Sequence, residues 1–235
     1  MNIRYYVLSF LILIFASNLY PQKLSIGCKA GYNLSLNYGN KADARLYDVD
    51  SGFRHAAAAG LYLYLPITET FGMQYELLYV MKGSQNGIVL KEEPIRVDVA
   101  YGLDYLEIPV FFKLQMQRFG KVRLFATSGW ALSVLLKTDY NLTGTVDFND
   151  AGTIRRIPIS ASGDMPDTDI FDYSFLFGGG ILFPFAHRMC SFEYRFTVGW
   201  NVLMLPTYEN QDPVPLRNQS YLFMLGIPLI KGGSR

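Results

Sequence analysis

Few of the usual materials of catalysis or disulfide architecture are present: the 235 residues include two cysteines and two histidines. No zinc-ligand spacing, phosphate loop or dinucleotide fingerprint accompanies them, so the sequence offers no cofactor or metal site. Charge of one sign is missing too. Twenty-one Lys and Arg offset 20 Asp and Glu, a net charge of +1, and with no basic block nothing favours a nucleic-acid partner. Beyond the N-terminus no run approaches the roughly 18 apolar residues of a membrane helix. Yet 50% of the chain is hydrophobic, with 17 Tyr and 17 Phe. High hydrophobicity without a helical span points to strands, in a length that fits one domain.

The N-terminus reads as an export signal, residues 1–22, with residues 23–235 forming the mature domain. Asn2, Ile3 and Arg4 make a short positive start, Tyr6 to Ala16 an apolar core, and Ser17 to Gln22 a cleavage zone. A retained anchor would need a longer apolar stretch. Leu24 to Cys28 loosely resembles a lipoprotein box, but Cys28 lies past Lys23 and continues an alternating strand. Cys28 and Cys190 fall on outward-facing positions of the first and seventh expected strands. One strand between them sets them about 10 Å apart, beyond the reach of a disulfide. Unpaired thiols are expected.

Residues 189–204 show the governing pattern. Cys190, Phe192, Tyr194, Phe196, Val198, Trp200, Val202 and Met204 share one parity, and Ser191, Glu193, Arg195, Thr197, Gly199 and Asn201 the other. A period of two is a strand, and this one exceeds the 9–11 residues or so that cross a bilayer. Similar alternation predicts strands over 24–38, 53–65, 71–84, 97–116, 121–137, 170–185 and 217–230. Leu78 and Val80 interrupt the polar face of the third. The fourth changes phase, which a bulge at Asp104 to Leu106 reconciles.

Connections after the odd strands are long and polar, whereas those after the even strands are a few residues. Outer-membrane barrels alternate in this way, with short periplasmic turns and long external loops. The expected fold is therefore all-β: an eight-stranded antiparallel up-and-down transmembrane β-barrel in the outer membrane of a Gram-negative-type bacterium, its greasy rows against lipid. Tyr38, Trp130 and Trp200 then fall near the external interface. A soluble ligand-carrier barrel would reverse the faces. The longest connection, Thr138 to Asp169, reads as irregular, with Thr153 to Ile159 able to extend a hairpin, and is the expected surface for envelope or secretion proteins.

The inward ionisable set is Lys29, Glu76, Lys82, Glu107, Lys113, Arg123, Glu193 and Arg195. Eight strands leave a bore only wide enough for side chains, so these groups are expected to pair as a polar plug. Two other readings stand beside a non-enzymatic binding or assembly role. One is a narrow channel for small solutes, to be blocked by filling the lumen at Gly129 or Gly180. The other is an enzyme acting on outer-leaflet lipid through Ser51 and His55, for which no third orienting group is evident.

Tyr105 to Lys113, YLEIPVFFK, resembles a hallmark of the PorT-type outer-membrane β-barrel family. Gly27 to Asn33 and the closing strand Asn218 to Pro228 are similar to that family's terminal strands, so the resemblance covers nearly the whole mature chain. It implies an eight-stranded outer-membrane barrel, associated in one branch with type IX protein secretion. The family pattern carries no catalytic residue to this sequence.

Overall fold

The computed structural model describes residues 24–39, 47–90, 95–150, 153–164, 169–200, 203–204 and 215–231. The expected signal, 1–22, and most of the loop expected over 206–216 lie outside them. The strands are β1 (Ser25–Gly39), β2 (Tyr47–Pro66), β3 (Phe71–Leu90), β4 (Ile95–Phe119), β5 (Val122–Asp150), β6 (Thr153–Gly163), β7 (Phe171–Phe185), β8 (Arg188–Gly199), β9 (Leu203–Met204) and β10 (Pro215–Lys231). Antiparallel neighbours follow the order β1-β2-β3-β4-β5-β7-β8-β10, and β10 pairs back to β1. Eight strands thus close a barrel with no free edge around its wall. Closure is what lipid requires, because a membrane interior satisfies no exposed backbone group.

Alternation decides which way each side chain points. Glu193 and Arg195 are each 0% exposed, whereas Phe192 and Tyr194 on the same strand are 41% and 40% exposed. The greasy rows line the outer wall and the charges fill the bore. Leu78 and Val80 also point inward, where they pack with Ala58, Leu222 and Met224. Their break in the polar pattern marks an apolar layer inside the barrel.

The phase change in β4 is a bulge: the β4–β5 register shifts between Asp104 and Tyr105. A second irregularity separates β2 from β3 between Phe53 and Ala58. Side chains take over the β3 carbonyls there. Asn33 Nδ2 donates to Met81 O at 2.6 Å, Ser35 Oγ to Gly83 O at 2.9 Å, and Arg54 Nη1 to Lys82 O.

Two expectations need correction. The segment Thr138 to Asp169 is mostly strand: β5 runs on to Asp150, and β6 returns along it from Asp150↔Thr153 to Tyr140↔Gly163. Tyr140, Leu142 and Val146 do share a parity, but Gly144 interrupts the row and the Asn, Asp, Gly and Thr residues between are turn formers, so the segment reads as loop. Conversely, the strand expected through Met204 ends at Gly199. Gly199 pairs with Ser174, and Trp200 N reaches Tyr173 O at 2.6 Å, so β8 leaves its β7 neighbour just as that strand begins. Among the described residues of that stretch the two-residue β9 resumes, against Pro215 and Leu216.

At the opposite end the turns are tight. Pro66 closes β2, and the amides of Ile67 and Thr68 both donate to Phe71 O, at 2.9 and 2.8 Å. Gly120, at φ 62°, turns β4 into β5. Between β7 and β8 the same left-handed geometry falls on Ala186 (φ 46°) and His187 (φ 62°). A two-residue hairpin turn with both φ values positive favours Asn-Gly. Replacing Ala186 and His187 by Asn and Gly is expected to stabilise the barrel by about 1 kcal/mol, read as a shifted urea midpoint in lipid vesicles.

Cys28 and Cys190 are both free thiols. They stand on β1 and β8 with β10 between, Cys28 opposite Ile227 and Ser191 opposite Gly226.

Candidate functional site

The lumen is built in layers by the inward positions of all eight wall strands, β1 to β5, β7, β8 and β10. Its centre is a four-charge cluster. Lys29 Nζ lies 2.6 Å from Glu76 Oε1 and 2.5 Å from Glu193 Oε2. Arg195 completes the square: Nη2 stands 2.6 Å from Glu193 Oε1, with Nε donating to the same oxygen at 3.0 Å. Its Nη1 is 2.9 Å from Glu76 Oε2, close in distance but without hydrogen-bond alignment. Two cations and two carboxylates balance, which is the condition for burying them at tolerable cost. Gln74 Nε2 adds a bond to Glu76 Oε1 at 2.6 Å, and the Arg195 guanidinium lies 4.7 Å from the centre of the Phe111 ring.

Toward the external side, Lys82 Nζ meets Glu107 Oε2 at 2.6 Å, and Ser133 Oγ donates to that oxygen at 3.2 Å. The Lys82 ammonium also lies 5.2 Å from the Tyr105 ring centre. Asn218 Nδ2 bonds Asp172 Oδ2 at 2.9 Å. Six of the eight predicted charges are thus paired in two groups.

Lys113 and Arg123 join neither group. Lys113 is buried over the Phe125 ring at 3.9 Å and 5.6 Å from the Tyr64 ring, and among the described residues Gln74 Oε1, at 3.4 Å, is the hydrogen-bond partner of its Nζ. Arg123 Nη1 donates to Gln115 Oε1 at 2.7 Å and to Glu69 O at 3.4 Å. Both face a cavity of about 850 Å³ at the short-turn end. Sequence alternation already places Gln74 and Asp172 on inner faces; Gln74 is uncharged, and Asp172 is an inward ionisable residue that the predicted set lacks. Phe111, an aromatic on a polar parity, carried no such signal.

The paired side chains of these layers are nearly inaccessible, each at 4% exposure or less. A Cβ at Gly180 would fall on Phe192 O, and one at Gly129 on Val110 O, so neither glycine has room to be filled. Their role is close packing, and they do not serve as test positions for conduction. Ser51 and His55 do not come together either. Four residues along extended chain separate them by about 13 Å, and His55 Nδ1 shares a hydrogen bond with Tyr32 OH on the outer wall. Among the described residues no group of three His, Cys, Asp or Glu could hold a metal ion.

Solved barrels with a similar course include the attachment invasion locus protein Ail of Yersinia pestis. It is 10% identical, covering 88% of this chain and 99% of that one, with a TM-score of 0.37. Neisserial surface protein A is 9% identical over 87% and 97% of the two chains, TM-score 0.41. The outer membrane protease OmpT of Escherichia coli is 10% identical over 88% and 96%, TM-score 0.46. No curated protein matches the sequence. The family model for the outer membrane protein beta-barrel domain matches residues 15–203, well over half of the sequence. With its closed eight-strand wall and its charges turned inward, this chain belongs to that outer membrane β-barrel family and resides in the outer membrane.

Proposed function

We propose that this barrel is a non-enzymatic binding or assembly component of the cell envelope, of the PorT type, serving type IX protein secretion. One observation carries the reading: the lumen charges are buried and paired, while β5 and β6 continue past the barrel as a hairpin. β5 spans 29 residues, where about 9–11 suffice to cross the membrane. Within the described residues β6 pairs with β5 alone, so its far edge offers backbone groups to an added strand. Pro158 limits that edge to part of its length, and exposed Ile157 supplies an apolar contact. The type IX assignment follows the resemblance at Tyr105 to Lys113.

Replacing residues 141–162 by a short turn should leave a folded, heat-modifiable barrel. The same change should lower capture of secretion-system proteins several-fold in a crosslinking pull-down from the outer membrane. An unchanged captured set would remove the hairpin as the binding surface.

A further inference from the structure

The short-turn end of the barrel opens into the cavity of about 850 Å³, and its polar lining is one-sided. Lys113, Arg118, Lys121 and Arg123 face it, together with Lys29, whose charge is already balanced inside the cluster; no carboxylate side chain is among the lining residues. Arg118 and Arg123 are direct cross-strand partners on β4 and β5. Like charges placed opposite each other destabilise a strand pair unless something neutralises them. Among the described residues no carboxylate oxygen stands within 4.0 Å of Lys113, Arg118, Lys121 or Arg123.

Lys113 is the second, independent observation. Its side chain is 5% exposed, yet its ammonium has an aromatic face and one distant amide oxygen in place of a counter-ion. The nearest carboxylates, Glu76 and Glu193, are taken by Lys29 and Arg195. A buried cation is stable when paired, so this arrangement lacks one negative group. Guanidinium forks such as Arg118 and Arg123 fit the planar or tetrahedral oxygens of carboxylate and phosphate. To either side of the basic strands, on β2 and β7, the lining is apolar and aromatic: Tyr62, Tyr64, Leu182, Pro184 and Phe185.

We propose that this periplasmic vestibule is a binding site for a small organic oxyanion, a phosphate or carboxylate borne on an apolar or aromatic body. Lys113, Arg118 and Arg123 hold the charged head, and the apolar flanks from Tyr62, Tyr64, Leu182, Pro184 and Phe185 take the body. The site lies at the end of the barrel away from the β5–β6 hairpin and stands or falls separately from the secretion role.

The test is calorimetric titration of the full barrel, refolded in a neutral maltoside detergent at low salt. The probes are phenyl phosphate, benzoate, inorganic phosphate and uncharged benzyl alcohol. Expected is one-to-one binding of phenyl phosphate or benzoate, with inorganic phosphate weaker and benzyl alcohol silent. Arg123→Gln and Lys113→Gln should each weaken binding tenfold or more, and Lys137→Gln, at the external side, should leave it unchanged. The head group that binds more tightly identifies phosphate or carboxylate as the natural ligand's charge. Should Lys113→Gln fail to fold, the exposed Arg118→Gln gives the same reading. Absence of binding by both aromatic anions, or equal loss with Lys137→Gln and Arg123→Gln, overturns the site.

Discussion

Replacing Arg195 by methionine is expected to destabilise the barrel by about 3–5 kcal/mol, the usual cost of stranding a buried charge. Arg195 neutralises half of a cluster whose four members are all nearly inaccessible. Without it, Glu76 and Glu193 compete for the single ammonium of Lys29, and one negative charge remains uncompensated in the bore. Urea unfolding in lipid vesicles would measure the loss as a lowered midpoint. The companion variant carries the argument. Adding Glu193→Gln to Arg195→Met restores neutrality around the surviving Lys29–Glu76 pair, 2.6 Å apart. The double change is therefore expected to recover about 2–3 kcal/mol of the single variant's loss, the upper range of coupling between touching groups. Strictly additive losses would mean that the four charges do not act as a unit.

The barrel's wall was legible in the sequence because lipid imposes one rule on every spanning strand. The strand from Cys190 to Val198 alternates without exception, and even the phase slip in β4 could be placed, since a bulge is the one local device that exchanges faces. Outside the membrane that rule lapses. β5 beyond Thr138 and β6 are rich in Asn, Asp, Gly, Thr and Ser, and a short apolar alternation set among such turn formers looks like loop. The end of β8 was hidden for a different reason: alternation continues through Trp200, but strand length depends on where β7 begins, and a single strand's pattern says nothing of its neighbour.

The inside was legible in part. Inward parity identified Lys29, Glu76, Glu193 and Arg195, but which cation meets which anion depends on stagger between strands distant in sequence. Lys29 and Glu193 are 164 residues apart and meet over the intervening β10. The same parity placed Lys113 among them, where the three-dimensional arrangement leaves it beside Phe125 at the edge of the vestibule. Charge alternation names the occupants of a lumen and leaves their pairing to geometry. The vestibule itself was invisible, because Arg118 sits at the end of β4, where the register slips between Gln115 and Arg118.

A packed bore of this kind fixes the wall from within, and the lipid-facing rows fix it from without. The second contribution predicts a depth-dependent penalty. Phe177, 52% exposed in the middle of β7 and flanked by Ser128 and Phe196, is expected to lie within the hydrocarbon. Phe177→Arg is expected to cost about 2–4 kcal/mol, whereas Leu229→Arg, close to the short-turn rim on β10, should cost about 0–1 kcal/mol. Both residues are about half exposed, at 52% for each, so loss of packing alone would penalise them alike. A gradient between them can come only from the medium outside: an arginine near the rim reaches headgroups and water, and one at mid-height must drag water in or stretch to the interface. The comparison is made by urea unfolding of both variants from the same lipid vesicles. Equal penalties at the two positions would mean that the aromatic rows do not face a bilayer, and the outward sense of every strand would have to be reconsidered.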